Sequence, residues 1–367
     1  MFFFRYEINL IFHTFLAVLM SRKETNFVRL LHGKTKNLKL TGKELNAIPD
    51  SIGVLQSLSS LDARNNKLSS LPTTIQLLNN LRCLNLGNNK FENVPNVISK
   101  ISTLQTIFLY SNPLADISGL CSNSLRELTT LNLRNCFLNI IPKQIKLLQS
   151  LEVLVLSFNK LEVLPEELFE LKTLKELLLD NNSLEVLPNN IGNLILLRKL
   201  LLPHNNIVAL PESIANLEYL EVLDIGCNCV QMLPSGITSM FLNELYCEHN
   251  PLLEEQPVRS SVEHEVFSLR EISARFIMKE LKKINSEVRL KIKNYPDIIE
   301  QLSSSIKCEV CQHPFIYVWL ECVRFVKVSE LKIEICSVKV IPQKVFLCSY
   351  NCFNSPGHNL YGIAFKT

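Results

Sequence analysis

The sequence predicts an α/β solenoid. Stacked coils form a horseshoe with a parallel β-sheet on its concave side, followed by a helical C-terminal cap and a small Cys-rich α+β module. Three observations carry this expectation. Leucine is unevenly distributed, with 52 in residues 28–250 and 10 in residues 251–367. Prolines fall at 49, 72, 95, 142, 165, 188, 211 and 234, a spacing of 23 broken by one gap of 47. Two cysteine pairs, Cys308/Cys311 and Cys348/Cys352, lie in the leucine-poor tail. The organisation that follows is a hydrophobic extension over 1–27 outside the fold, a solenoid of about ten coils over 28–252, a helical cap over 253–305 and a Cys-rich module over 306–367.

Composition narrows the function. Hydrophobic residues make up 47% and charged residues 20% of the 367, the balance of a folded globular protein. The net charge of +3, from 38 Lys+Arg against 35 Asp+Glu, demands neither nucleic acid nor an anionic membrane as partner. Only 10 glycines are present, which argues against a Gly-rich phosphate loop. The 12 cysteines are spread rather than framed as in small secreted scaffolds. Most of them read as reduced thiols of an intracellular protein, cytoplasmic or nuclear.

The first residues, MFFFRYEINLIFHTFLAVLM, raise a membrane question. Arg5, Glu7 and His13 interrupt the apolar stretch and leave it short of the ~20 residues a span needs. A signal peptide needs a small-residue cleavage site, and Ser21-Arg22-Lys23 supplies none. The preferred reading is an added or poorly ordered extension, with a signal or anchor as the alternative. The Asn181-Asn182-Ser183 glycosylation match does little for a secretory reading, because Asn182 falls at a buried repeat position.

The repeat has a physical reading. The gap of 47 is 23 plus 24, and Ser118 fills the missing proline slot. Six residues before most prolines stands an Asn: Asn66, Asn89, Asn112, Asn159, Asn182, Asn205 and Asn228. Asn250 continues the series one residue early, Cys136 takes one slot, and Lys43 takes the first. Around each runs L-x-x-L-x-L-x-x-N-x-L, complete in Leu151, Leu154, Leu156, Asn159 and Leu161. The x-L-x-L part is a short strand with alternate side chains inward. The Asn amide both donates and accepts, so it can satisfy backbone groups that the turn leaves unpaired. The L-P step and the following x-x-I-x-x-L return the chain along the outer side. No single coil can bury its own apolar face, so stacking is required.

These motifs resemble the leucine-rich repeat family over about 28–252. The LP-x-x-I return resembles its 23-residue intracellular subclass, which implies a scaffold. Glu244-Leu-Tyr-Cys-Glu, Phe276 within SARFIM, Trp319-Leu-Glu-Cys-Val-Arg-Phe325 and Cys348-Ser-Tyr-Asn-Cys-Phe353 resemble the C-terminal part of one member, in which the chain would begin near Val28. The resemblance implies neither a catalytic activity nor binding residues.

Between the inward leucines, one row of strand residues faces the concave side. It reads Lys39, Asp62, Asn85, Phe108, Asn132, Val155, Leu178, Leu201, Asp224 and Tyr246. Val155, Leu178 and Leu201 fall on adjacent coils, flanked by Val153, Glu176, Lys199 and Val222 and by Phe158, Asp180 and His204. An apolar stripe on a solvated sheet suggests a partner surface. The alternative is that the chain's own C-terminal segment covers it. The candidate partner-binding residues are Phe108, Tyr110, Val153, Val155, Leu178, Leu201, Val222 and Tyr246. No general base with an orienting partner appears, so the reading is non-enzymatic.

The last coil closes at Asn250-Pro-Leu and needs a cap. Ser261–Lys283 offers one, with Val262, Val266, Leu269, Ile272, Phe276 and Ile277 at helical spacing. A second helical stretch covers Ser286–Tyr295 and ends at Pro296. Arg270, Arg275, Lys279, Lys282, Lys283, Arg289, Lys291 and Lys293 face only Glu271, Glu280 and Glu287. This basic set reads as the solvated side of the helices, with RNA or an acidic partner as the alternative.

In the tail, Cys308-x-x-Cys311 and Cys348-x-x-x-Cys352 flank a β-rich insert. Two such pairs suit a structural Zn²⁺ with four thiolates. His313 and His358 are alternative ligands, and Cys322 and Cys336 are expected to be spare. Buried free thiols and a redox C-x-x-C are the competing readings. The sequence as a whole points to a protein-interaction scaffold for an unidentified protein, with no nucleic acid or membrane expected. Its alternatives are a substrate-recruiting subunit of a ubiquitin ligase and, further off, a secreted or membrane receptor.

Overall fold

The computed structural model describes residues 35–253, 268–283, 286–316, 320–355 and 357–362. The 1–27 extension, Val262, Val266 and Trp319 lie outside the described residues. Ten three-residue strands recur at the repeat period: β1 (Asn37–Lys39), β2 (Ser60–Asp62), β3 (Cys83–Asn85), β4 (Thr106–Phe108), β5 (Thr130–Asn132), β6 (Val153–Val155), β7 (Glu176–Leu178), β8 (Lys199–Leu201), β9 (Val222–Asp224) and β10 (Glu244–Tyr246). All pair in parallel with their sequence neighbours, in the register the motif requires: Leu154 faces Leu177, which faces Leu200, which faces Leu223. In β2 to β10 the central residue is buried and its two neighbours are half-exposed. One sheet face is thus core and the other is open.

Each coil returns through a short 3₁₀ helix, such as Thr73–Leu77, Glu166–Glu170 or Glu212–Asn216. Proline immediately precedes most of them. Pro72 has φ −66° and Pro165 φ −69°, values the pyrrolidine ring fixes, and the missing N–H is not needed there. Ile75, Leu168 and Ile214 point each helix into the core and are fully buried.

The asparagines form a hydrogen-bonded ladder. Asn159 Oδ1 accepts from the Cys136 and Leu138 N–H groups of the preceding coil, both at 3.0 Å. Its Nδ2 donates to Leu133 O at 2.9 Å and Leu156 O at 2.8 Å. Asn66, Asn89, Asn112, Asn182, Asn205, Asn228 and Asn250 repeat the arrangement. Cys136 keeps only the donor half, from Sγ to Leu109 O at 3.2 Å. Lys43 contributes just its backbone N–H, to Asn66 Oδ1. The residue before each ladder position adopts left-handed backbone; Phe158 does so at φ 58°, an uncommon conformation for a bulky side chain. Arg134 stacks over its ring at 4.1 Å.

The tail is built from short elements. Helix α1 (Leu269–Leu281) is N-capped by Ser268, which accepts from the Glu271 N–H. Helices α2 (Glu287–Lys291) and α3 (Pro296–Ser303) follow, with Pro296 at the first turn of α3. Ala274, Met278, Ile292 and Leu302 bury against one another with Ile316 beside them, so the helices pack on the Cys module. The hairpin β11 (Ile306–Lys307) and β12 (Pro314–Phe315) precedes β13 (Leu320–Lys327), β14 (Ile335–Cys336), β15 (Val340–Leu347), helix α4 (Tyr350–Asn354) and β16 (Tyr361–Gly362). Strands β15, β13 and β16 form an antiparallel sheet in that order.

The final coil is closed by the segment 328–343. Strand β14 joins β10 in parallel, as the eleventh strand of the solenoid sheet. Ile341 is fully buried in the solenoid core, and Val328, Leu331, Ile333 and Val338 pack against it. Leu233 N–H donates to Pro342 O, and Lys344 N–H donates to Leu233 O, both at 2.8 Å. The buried Gln343 amide reaches Ser235 O and Thr238 Oγ1.

Candidate functional site

On the open sheet face, the parallel register sets the proposed partner residues side by side. Val153 and Val155 lie on β6, Leu178 on β7, Leu201 on β8 and Val222 on β9. Each is half-buried, pressed by its strand neighbours yet still open to solvent. Phe108 on β4 and Tyr110 beyond it stand toward the N-terminal coils, and Tyr246 on β10 toward the other end. The rim at that end is acidic. Burial pushes the Asp224 carboxyl above its ordinary value; the Gly226 N–H opposes this, and the charges of Glu248 and Asp180 add to it. Tyr246 donates its hydroxyl to Glu244 at 3.1 Å.

The four tail cysteines converge, and local structure explains how. Cys308 N–H donates to His313 O, and Gln312 N–H donates to Cys308 O at 2.9 Å. Gln312 takes left-handed backbone at φ 60°, which folds 308–313 into a tight knuckle at the end of β11. Cys348 follows the last residue of β15, and Cys352 sits in α4, where Ser349 Oγ accepts its N–H at 3.1 Å. Glu309 N–H donates to Phe346 O, tying the knuckle to β15.

The four sulfurs all lie within 4.8 Å of one another. Cys348 Sγ is 3.5 Å from both Cys311 Sγ and Cys352 Sγ. A tetrahedron with Zn–S bonds near 2.3 Å has sulfur–sulfur edges of about 3.8 Å, so the set fits that ion. Burial works against a Cys308 thiolate, but the N–H groups of Cys311, Cys348 and Val310 outweigh it and bring the thiol down to about 7. Burial raises Cys348 and Cys352. Neither His313 nor His358 joins the four; His358 Nε2 contacts Phe353 O at 2.5 Å. Cys322 is buried in the surrounding apolar cluster, and desolvation pushes its thiol up to about 12. Cys336 lies away from the four, on the solenoid sheet.

Beside the cluster a cleft of about 400 Å³ is lined by Arg275, Phe276, Lys279, Lys282 and His313. Arg275 is engaged, with Nε on Glu271 at 2.5 Å and Nη2 on Cys348 O at 2.7 Å. Glu271, fully buried, also accepts the Ile316 N–H. This buried ion pair docks α1 on the module. Lys283 pairs with Glu280 and Lys291 with Glu287, so each acid of the basic segment has a cation beside it. Among the described residues, no helix is long and apolar enough to cross a membrane.

Comparison with known proteins agrees with this architecture. Family profiles described as "Leucine-rich repeat region" and "Leucine rich repeat" match residues 25–132 and 149–207. Those residues thus match leucine-rich repeats. It is 42% identical over 129 residues to leucine-rich repeat-containing protein 69 of Homo sapiens, covering 34% of this chain and 35% of that one. The protein of the same name from Xenopus laevis is 42% identical over 123 residues, covering 34% and 36%. The match thus spans about a third of the length of these curated relatives. A leucine-rich repeat protein of Leptospira interrogans superposes with a TM-score of 0.54 at 28% identity, covering 64% of this chain and 65% of that one. The ectodomain of the plant receptor kinase GASSHO1/SCHENGEN3 from Arabidopsis thaliana, in complex with Casparian strip integrity factor 2, gives 0.51 at 28%, covering 59% and 27%.

Proposed function

We propose that this leucine-rich repeat chain is a non-enzymatic scaffold that holds a protein partner on the concave face of its repeats. The observation that carries the proposal is the solvent-open stripe of Val153, Val155, Leu178, Leu201 and Val222 on four adjacent strands. Val155, Leu178 and Leu201 share one row on successive strands about 4.8 Å apart and present a continuous apolar strip, with Val153 and Val222 at its ends in the neighbouring row, where Glu176 and Lys199 lie between them. The plant ectodomain of similar fold is in complex with Casparian strip integrity factor 2, which favours a partner-binding role for the array. Phe108, Tyr110 and Tyr246 extend the surface with aromatic rings, the side chains that most often anchor interfaces.

Cys308, Cys311, Cys348 and Cys352 would hold one structural Zn²⁺, whose chemistry is to bind four thiolates and staple the elements that carry them. The knuckle, the end of β15 and α4 supply the sulfurs, and the Ser349 cap fixes the helix that carries Cys352. The chain's work is then divided between a recognition sheet and a stapled terminal module. We place it in the cytoplasm or nucleus, where the reduced thiols such a site needs persist.

Proximity labelling in cells, comparing wild type with Leu178→Glu combined with Leu201→Glu, tests the scaffold reading. The expected result is loss of a discrete set of labelled proteins with unchanged circular dichroism. An identical labelled set from a folded double variant would remove the concave face as the binding surface.

A further inference from the structure

The leucine-poor tail returns to the solenoid at one strand, and that strand brings two sequence-distant cysteines together. Cys336 on β14 pairs opposite Leu245 on β10. Cys247 lies two residues beyond Leu245, on the same inward face, and is fully buried in the core. Cys336 packs against that core while keeping part of its surface open. Ser337 fixes the juxtaposition: its Oγ accepts the Cys247 N–H at 2.8 Å and lies 3.8 Å from Cys247 Sγ. Both side chains therefore enter the core of the last coil from adjacent strands, offset by two residues in register, and are near enough to perturb each other's ionisation.

We propose that Cys247 and Cys336 form a redox modification site, in which a peroxide converts the thiol pair to a disulfide joining the eleventh strand to the tenth. The chemistry has two steps. The Cys336 thiolate attacks one peroxide oxygen, the O–O bond breaks, and hydroxide leaves with sulfenic acid on Cys336. The Cys247 sulfur then attacks the Cys336 sulfur and gives up its proton; the S–O bond breaks, water leaves and the disulfide forms. The two thiols lose two electrons in all, and the peroxide is reduced to two waters once the hydroxide takes a solvent proton.

The division of labour follows from environment. The Cys247 thiol and the N–H groups of Val338 and Ser337 stabilise a Cys336 thiolate against the opposing effect of burial, bringing it to about 6. Cys247 is correspondingly held as the protonated, buried partner. A low-pKa, partly exposed thiol beside a resolving thiol is the arrangement that reactive redox cysteines share. Cys83, half-buried on β3, is an internal control: desolvation raises its thiol, and the Ser60 hydroxyl opposes the rise.

The test uses the reduced full chain. It is exposed to hydrogen peroxide, quenched with N-ethylmaleimide and digested without reductant. The expected product is a peptide pair joined through Cys247 and Cys336, two hydrogens lighter than its parts and separated again by dithiothreitol. In Cys247→Ala, dimedone should instead trap sulfenic acid on Cys336. Because a core substitution can unfold the last coil, wild type is also labelled with limiting N-ethylmaleimide at neutral pH. Cys336 should react about tenfold faster than Cys83. Oxidation of Cys336 without joining to Cys247, joining of either to a different cysteine, or labelling no faster than at Cys83 would each overturn the proposal.

Discussion

Around β6 the solenoid buries Leu151, Leu154, Leu156, Leu161, Leu164 and Leu168, and the coils on either side repeat the pattern with little change. The cluster of the C-terminal module is built differently. It buries ten residues, four of them cysteines, around Phe315, Phe346 and Phe353. Stability in the first region is the sum of many similar interfaces between neighbouring coils. In the second, the proposed zinc site would concentrate it where four sulfurs meet, because so few residues bury little apolar surface. Damage should therefore stay local and graded in the solenoid and be all-or-none in the module.

The sharpest break of this contrast is to remove the sulfur cluster. Structural zinc contributes on the order of 10 kcal/mol to folding in small domains, so Cys308→Ser or strong chelation should abolish the module's order while coils distant from it persist. Two-probe urea unfolding checks the separation. Elemental analysis should find about one zinc per chain in wild type, none in Cys308→Ser, and an unchanged amount in Cys322→Ser. A metal-free wild type with an ordered module would mean that apolar packing alone holds it.

Within the solenoid, Leu177→Ala should cost about 3 kcal/mol, since Leu177 is fully buried and its cavity cannot collapse. Its neighbour Leu178 faces the open side, and Leu178→Ala should cost below about 1 kcal/mol in the same unfolding measurement. Equal losses would place part of the chain over the stripe. Asn159→Ala should cost about 2 kcal/mol, because the Cys136 and Leu138 N–H groups lose their acceptor in a buried site. At the small end, Lys175→Ala breaks an exposed pair with Glu152 at 2.8 Å and should change stability by less than about 0.5 kcal/mol.

Legibility followed the same divide. The 23-residue period places Leu154, Asn159 and Pro165 in the sequence, and strand, ladder and helix start appear at those positions. Repetition makes that inference easy, since each coil contacts the next at a fixed offset. The pairing of Cys308/Cys311 with Cys348/Cys352 was readable from spacing, because metal-ligand pairs have a local signature. The closure by β14 had no such signal. It is two residues long, and a chance match of that length means nothing in a sequence. Cys336 lies outside the sulfur cluster, as its place in the insert predicts, but its approach to Cys247 is set by tertiary return alone. Gln343 likewise reads as a polar strand residue, and only the structure shows its Nε2 donating inside the last coil.

The eleventh strand also bears on assembly. A parallel sheet that ended at β10 would leave unpaired N–H and C=O groups beside a face of exposed leucines, a template for the first coil of another copy. Such a contact is head-to-tail and does not close on itself, so it would grow into an open filament. Strand β14, with Ile341 seated in the core behind it, occupies that template intramolecularly. Being only two residues long, it offers an incoming strand very little new edge. The tail thus sets the length of the array, and a chain cut before Val328 should elongate by polymerising at its exposed end.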